Sequence, residues 1–170
     1  MSEKLYPVSI EVNGKKRDAN VPARLSLVDF LREELRLTGT HVGCEHGICG
    51  ACSILLDGEP VRSCLMFAVQ ADGHRITTVE GLTPADGKLS VLQDSFCEAH
   101  GLQCGYCTPG MLIASQALLN ATPNPSEEQI RDAIGGVSSP QAPNGSSAQM
   151  KVDWIKYYKY QNYGTVTHLN

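Results

Sequence analysis

Gly43-Cys44-Glu45-His46-Gly47-Ile48-Cys49-Gly50-Ala51-Cys52 places three cysteines on one short stretch, spaced C-x4-C-x2-C, with Cys64 following downstream. This spacing suits a 2Fe-2S cluster, in which each iron needs two thiolates beside its bridging sulfides. Three thiolates on a tight loop wrap one side of such a cluster. The fourth must return from a separate element, and Cys64 is placed for that. Gly43, Gly47 and Gly50 allow the close backbone approach that turns N–H groups toward the sulfurs. A disulfide framework fits poorly, because the cysteines crowd one loop and Met1-Ser2-Glu3-Lys4 does not open a secretory signal. A zinc site would usually show two C-x2-C knuckles. The stretch therefore points to single-electron transfer.

The flanking sequence supplies a β-rich cradle. Val8-Ser9-Ile10-Glu11-Val12 alternates apolar and polar, as a half-buried strand does. Asn13-Gly14 is a strong hairpin signal, and Lys15 to Val21 forms the returning strand, ended by Pro22. Ser26 is an N-cap with Asp29 in the first turn, and Leu27, Leu31 and Leu35 line one helical face until Thr38-Gly39. Cys52 to Leu56 leaves the loop as a strand, Asp57-Gly58 turns the chain, Pro60 to Cys64 returns, and Arg75 to Val79 closes the sheet. Strand, hairpin, helix, loop and strand in that order are expected of a β-grasp ferredoxin.

The period then changes. Leu89, Leu92 and Phe96 share a helical face that ends at Gly101. Thr108-Pro109 reads as the N-cap and first residue of a helix through about Asn120, buried along Met111, Ala114 and Leu118. Residues 121–125 form a linker. Ser126 and Gln129 make a capping box for a short helix that stops at Gly135-Gly136. The expected fold class is α+β: an N-terminal β-grasp 2Fe-2S ferredoxin domain over 1–80, then a helical-bundle 2Fe-2S-binding domain over 81–170 with an atypical tail from about 137.

Leu102-Gln103-Cys104-Gly105-Tyr106-Cys107-Thr108-Pro109-Gly110 narrows the reading. With the first cysteine stretch, it resembles the small iron–sulfur subunits of molybdenum hydroxylases, the group of xanthine dehydrogenase, aldehyde oxidase and carbon monoxide dehydrogenase. The resemblance covers about residues 4 to 136. It implies Cys44, Cys49, Cys52 and Cys64 as ligands of a ferredoxin-type 2Fe-2S cluster. It further implies Cys104 and Cys107 as half the ligand set of a second 2Fe-2S cluster, with Gln103 and Cys104 at the contact with a partner's pterin. The implied partners are a large molybdopterin subunit, holding the molybdenum–pterin cofactor, and a flavin subunit with FAD. Cysteines just before a helix start also make electrostatic sense, since the positive end of the helix dipole favours thiolates.

The pattern then departs from that family, which supplies the last two thiolates from a C-x-C pair on a later helix. Here Val137-Ser138-Ser139-Pro140-Gln141-Ala142-Pro143-Asn144-Gly145 follows, and no cysteine comes after Cys107. Three explanations stand: a tail altered by a frameshift, a divergent tail whose second cluster is lost or completed by another group, or ligation by the partner subunit. The tail is rich in aromatics, Trp154, Tyr157, Tyr158, Tyr160 and Tyr163, among Lys151, Lys156 and Lys159. A helix closing the second domain is preferred over a docking strip there.

Other residues carry less. Cys97 reads as a packed small hydrophobe, and His46 as a solvent-facing loop residue. His41 and His100 flank the motifs without ligand spacing. Asp57 and Asp86 sit in turns. The formal charge of −4 argues against non-specific nucleic-acid binding, and no run approaches the ~20 apolar residues of a membrane span. Seven cysteines without a signal suit a reducing compartment, so the expected location is cytoplasmic. No nucleotide-phosphate loop, dinucleotide fingerprint or activated nucleophile is present, so no catalytic residue is assigned. The expected function is electron transfer as a non-catalytic subunit of a molybdenum-dependent oxidoreductase, passing electrons singly from molybdenum–pterin to flavin or another acceptor. The alternatives are a stand-alone ferredoxin-like carrier with a helical accessory domain, and a structural zinc or assembly module.

Overall fold

A computed structural model of the chain describes residues 3–138, 158–161 and 165–168. Strands β1 (Leu5–Val12) and β2 (Lys15–Pro22) form an antiparallel hairpin in which Val12 faces Lys15. Asn13 and Gly14 both take positive φ, 51° and 72°, the two-residue turn whose twist matches the strands it joins. Alternation along β1 buries Val8, Ile10 and Val12 and leaves Ser9 and Glu11 less buried.

The Ser26 hydroxyl accepts the Asp29 N–H at 3.1 Å and starts the short helix α1 (Leu27–Asp29). The helix widens to π geometry over Phe30–Glu34, where the Leu35 N–H donates to the Phe30 carbonyl. Leu27, Phe30 and Leu31 are completely buried against the sheet. The helix ends earlier than Thr38-Gly39, because Arg36 turns left-handed at φ 58°. The Arg32 guanidinium then donates to the Thr38 and Thr40 carbonyls at 2.8 and 2.7 Å, steadying the approach to the cysteine loop.

Beyond that loop run β3 (Ser53–Leu56), β4 (Glu59–Arg62) and β5 (Arg75–Thr77). The sheet order is β2-β1-β5-β3-β4, with β5 parallel to β1 and antiparallel to β3. Cys64 lies on a 3₁₀ turn over Ser63–Leu65, not on the returning strand, since β4 ends at Arg62. One apolar cluster fills this half, from Val8, Ile10 and Val12 through Leu27, Phe30 and Leu31 to Ile54 and Ile76.

Three helices follow among the described residues: α2 (Val91–Glu98), α3 (Thr108–Ala121) and α4 (Glu127–Ser138). A capping box of Ser90 and Gln93 starts α2, so Leu89 lies outside the helix and is exposed. His100 at φ 51° and the Gly101 N–H on the Phe96 carbonyl close it. Met111, Ala114 and Ile134 form the second apolar cluster, with Phe96 and Ile130 packed on it. The Ser126–Gln129 capping box is present, at 3.2 and 2.7 Å. Helix α4 does not stop at Gly135-Gly136. Each glycine costs about 1 kcal/mol relative to alanine, and burying Ile134 beside Met111 and Ala114 of α3, with Ile130 partly buried next to it, offsets about 1.5–3 kcal/mol. Helix α3 also lies against β3 and β4, so the two halves share one contact surface.

The helix expected to close the tail is replaced over its described part by two antiparallel strands, β6 (Tyr158–Gln161) and β7 (Thr165–His168). Period-2 runs such as Tyr158-Lys159-Tyr160 and Thr165-Val166-Thr167 favour that outcome. Trp154, Tyr157, Tyr163, Lys151 and Lys156 lie outside the described residues. Cys97 is exposed, not packed, because the buried side of α2 falls on Gln93 and Phe96. Among the described residues no helix is long and apolar enough to cross a membrane.

Candidate metal centre

The loop between α1 and β3 has no regular structure and is organised around its cysteines. Glu45, Gly47 and Gly50 all take positive φ, 56°, 76° and 71°, which folds the chain inward on itself. The Cys44 Sγ accepts the backbone N–H groups of His46 and Cys49, both at 3.3 Å. These donors, Cys49 first, pull the Cys44 thiol down to about 6. Space is closed elsewhere. A Cβ at Gly43 would lie 2.9 Å from Cys49 Sγ, and one at Gly47 would lie 2.4 Å from Leu65 Cδ1.

Cys64 comes back from the far side. Ser63 fixes it by donating its N–H and hydroxyl to the Cys52 carbonyl, at 3.3 and 2.7 Å. Burial, then the adjoining Cys52 thiol, pushes Cys64 up to about 11, against the opposing Gly47 N–H. The Cys49 thiol acts on Cys44 and the Cys52 thiol on Cys64, and the charge of Cys44 also reaches Cys64, so the four thiols share one neighbourhood. Among the described residues no three His, Cys, Asp or Glu side chains gather at the range of a single metal ion. Four thiols in one neighbourhood, with N–H groups already donating to Cys44 Sγ, fit the needs of a two-iron cluster better than those of one ion. Binding would displace the proton that burial keeps on Cys64.

The second motif forms the loop entering α3. Cys107, not Thr108, is the N-cap, and Thr108 is the first helical residue. Among the described residues the buried Thr108 hydroxyl, next to Cys107, has no hydrogen-bond partner. Gln103, Cys104 and Cys107 are exposed. This loop sits on the first. The His41 ring stacks on Tyr106, with centroids 4.8 Å apart and planes at 26°. His41 Nδ1 lies 2.8 Å from the Tyr106 carbonyl, and the Tyr106 hydroxyl donates to the Val42 carbonyl. Gly110 meets Gly50 so closely that a Cβ would fall 2.1 Å from the Gly50 carbonyl oxygen. His41 was missed in the sequence, where nothing about its spacing distinguishes it. His46 is exposed, as expected, and contributes only its N–H.

Residues 10–78 match the family model described as 2Fe-2S iron-sulfur cluster binding domain, and residues 78–139 match that described as 2Fe-2S binding domain. The chain is 57% identical over 134 residues to the caffeine dehydrogenase subunit gamma of Pseudomonas sp. (strain CBB1), covering 77% of this chain and 80% of that one. It is 51% identical over 129 residues to the nicotine 6-hydroxylase small subunit of Paenarthrobacter nicotinovorans, covering 76% and 77%. The crystal structure of quinoline 2-oxidoreductase from Pseudomonas putida 86 superposes with a TM-score of 0.77 at 47% identity, over 84% of this chain and 88% of that chain. With both domains in order and these relatives, the chain belongs to the family of small iron–sulfur subunits of molybdenum hydroxylases, and is a non-catalytic electron-transfer subunit of that oxidoreductase class.

Proposed function

We propose that Cys44, Cys49, Cys52 and Cys64 hold a 2Fe-2S cluster, and that this chain is the single-electron relay between a large molybdenum–pterin subunit and a flavin subunit or another acceptor. The observation that carries the reading is the loop that turns the His46 and Cys49 N–H groups onto Cys44 Sγ, with Cys64 tied back to Cys52 through Ser63. When bound, the cluster supplies a one-electron couple whose potential follows hydrogen bonding and burial. The chain's residues do the tuning. Cys44 carries two N–H donors, whereas Cys52 is 2% exposed, so the thiols of the site sit in unlike surroundings.

Cys104 and Cys107 supply half of a second ligand set at the start of α3, on the side of the molecule that Gln103 and Cys104 present to a pterin subunit. The chain's own thiols do not complete that set, so the isolated chain holds one cluster. In this reading the first domain spans residues 1–80 and the second 81–170, and the cysteine-rich composition suits a reducing, cytoplasmic location. Purifying the tagged full chain from its native host tests the assignment. Recovery with a large molybdenum-containing subunit is expected, and a monodisperse small protein with no such partner contradicts it.

A further inference from the structure

The two cysteine loops are joined at a place where core packing gives no reason for an aromatic pair. Tyr106 is 47% exposed, yet it is held at three points. Its ring stacks on His41, its carbonyl lies 2.8 Å from His41 Nδ1, and its hydroxyl donates to the Val42 carbonyl. The Nδ1-protonated tautomer of His41 donates to that carbonyl. The His41 N–H in turn donates to the Ala51 carbonyl at 3.3 Å, anchoring His41 to the far end of the first cysteine loop. Tyr106 immediately precedes Cys107, and Val42-Gly43 immediately precede Cys44. A Cβ at Gly43 would sit 3.7 Å from Tyr106 Cε1, so the ring also lies against the backbone beside Cys44. An exposed loop position that needed only solubility would be served by any polar residue. A ring held by stacking and two hydrogen bonds fixes a separation instead.

We propose that His41 and Tyr106 are positioning residues, a clasp that holds the Cys104–Cys107 loop against the Cys44–Cys52 loop and so sets how fast an electron passes between them. The rate part of this inference rests on the relay reading above, and the loop-holding part does not.

The test uses the assembled enzyme carrying His41→Ala, His41→Asn or Tyr106→Phe. Hydrogen exchange is followed at the amides of 104–107 and, as reference, in β1 and β2. The EPR signal and midpoint potential of the first centre are recorded, with the rate of single-turnover electron arrival at the acceptor. In His41→Ala, exchange at 104–107 rises about tenfold, as expected for losing one net hydrogen bond and a stacked ring, while β1 and β2 are unchanged. Electron arrival slows and the first centre's potential stays put. His41→Asn, which keeps a donor near the position of Nδ1, recovers part of both effects, and Tyr106→Phe, which keeps the stack, loses only part.

Unchanged exchange at 104–107, or equal acceleration across β1 and β2, overturns the clasp. Local acceleration with an unaltered arrival rate overturns its role in transfer. An iron-free preparation that shows the local acceleration upholds the clasp and sinks the relay reading.

Discussion

Gly110→Ala separates close loop contact from helix propensity by the sign of its effect. Gly110 lies in the first turns of α3 and is buried against the first cysteine loop. A Cβ there would meet the Gly50 carbonyl oxygen at 2.1 Å, the Gly50 carbonyl carbon at 3.0 Å and the Ala51 Cα at 3.2 Å. Relaxed heavy-atom contacts lie near 3.5–4.0 Å, so the methyl group must retreat from main-chain atoms by about 1 Å or more. Overpacking costs about 1–3 kcal/mol, and the upper part of that range applies because backbone yields less readily than a side chain. Alanine recovers about 1 kcal/mol of helix propensity. The net loss of about 1–2 kcal/mol lowers the thermal midpoint by about 2–8 °C for a chain of this size. Far-UV circular dichroism of the cluster-loaded chain reads that shift, and visible dichroism reports whether the first loop is displaced. A midpoint equal to or above that of the natural chain, as propensity alone requires, refutes the close packing of α3 on the loop.

Other outcomes follow from single contacts. Ser90→Ala removes the hydroxyl that accepts the Gln93 N–H at 3.3 Å and lowers stability by about 1 kcal/mol, read from the denaturant midpoint. Cys49→Ala abolishes visible absorbance and the reduced EPR signal, whereas Cys107→Ala retains both in the isolated chain. Asp57 is held below the usual carboxylate range by His74, then by the Arg75 N–H. Its stabilisation is present above the ordinary carboxylate pKa and is lost as pH falls through the lowered folded value. Asp57→Asn therefore flattens the acid limb of the stability curve, measured by denaturation from about pH 6 to about pH 2.

Much of the fold was legible because local chemistry and tertiary structure agree. Alternation in β1, the positive φ needed at Asn13-Gly14, and the caps at Ser26 and Ser126 each act over a few residues. The proposed first cysteine set stands out in the sequence for a similar reason, since three of its members share one loop. What escaped depends on partners distant in sequence. His41 gains its place only by meeting Tyr106, which is 65 positions away. Cys64 is delivered by a 3₁₀ turn tied to Cys52, which strand pattern does not encode. Gly135 and Gly136 look like a stop, but burial of Ile134 carries α4 through them. Thr108 looks like a cap, yet its hydroxyl is buried and Cys107 takes that position.

Iron and acid-labile sulfide analysis of the isolated full chain, with EPR after reduction, addresses the central assignment. The account predicts about two irons and two sulfides per chain, with the signal of a reduced 2Fe-2S centre. A folded chain that takes up no iron after anaerobic reconstitution contradicts it.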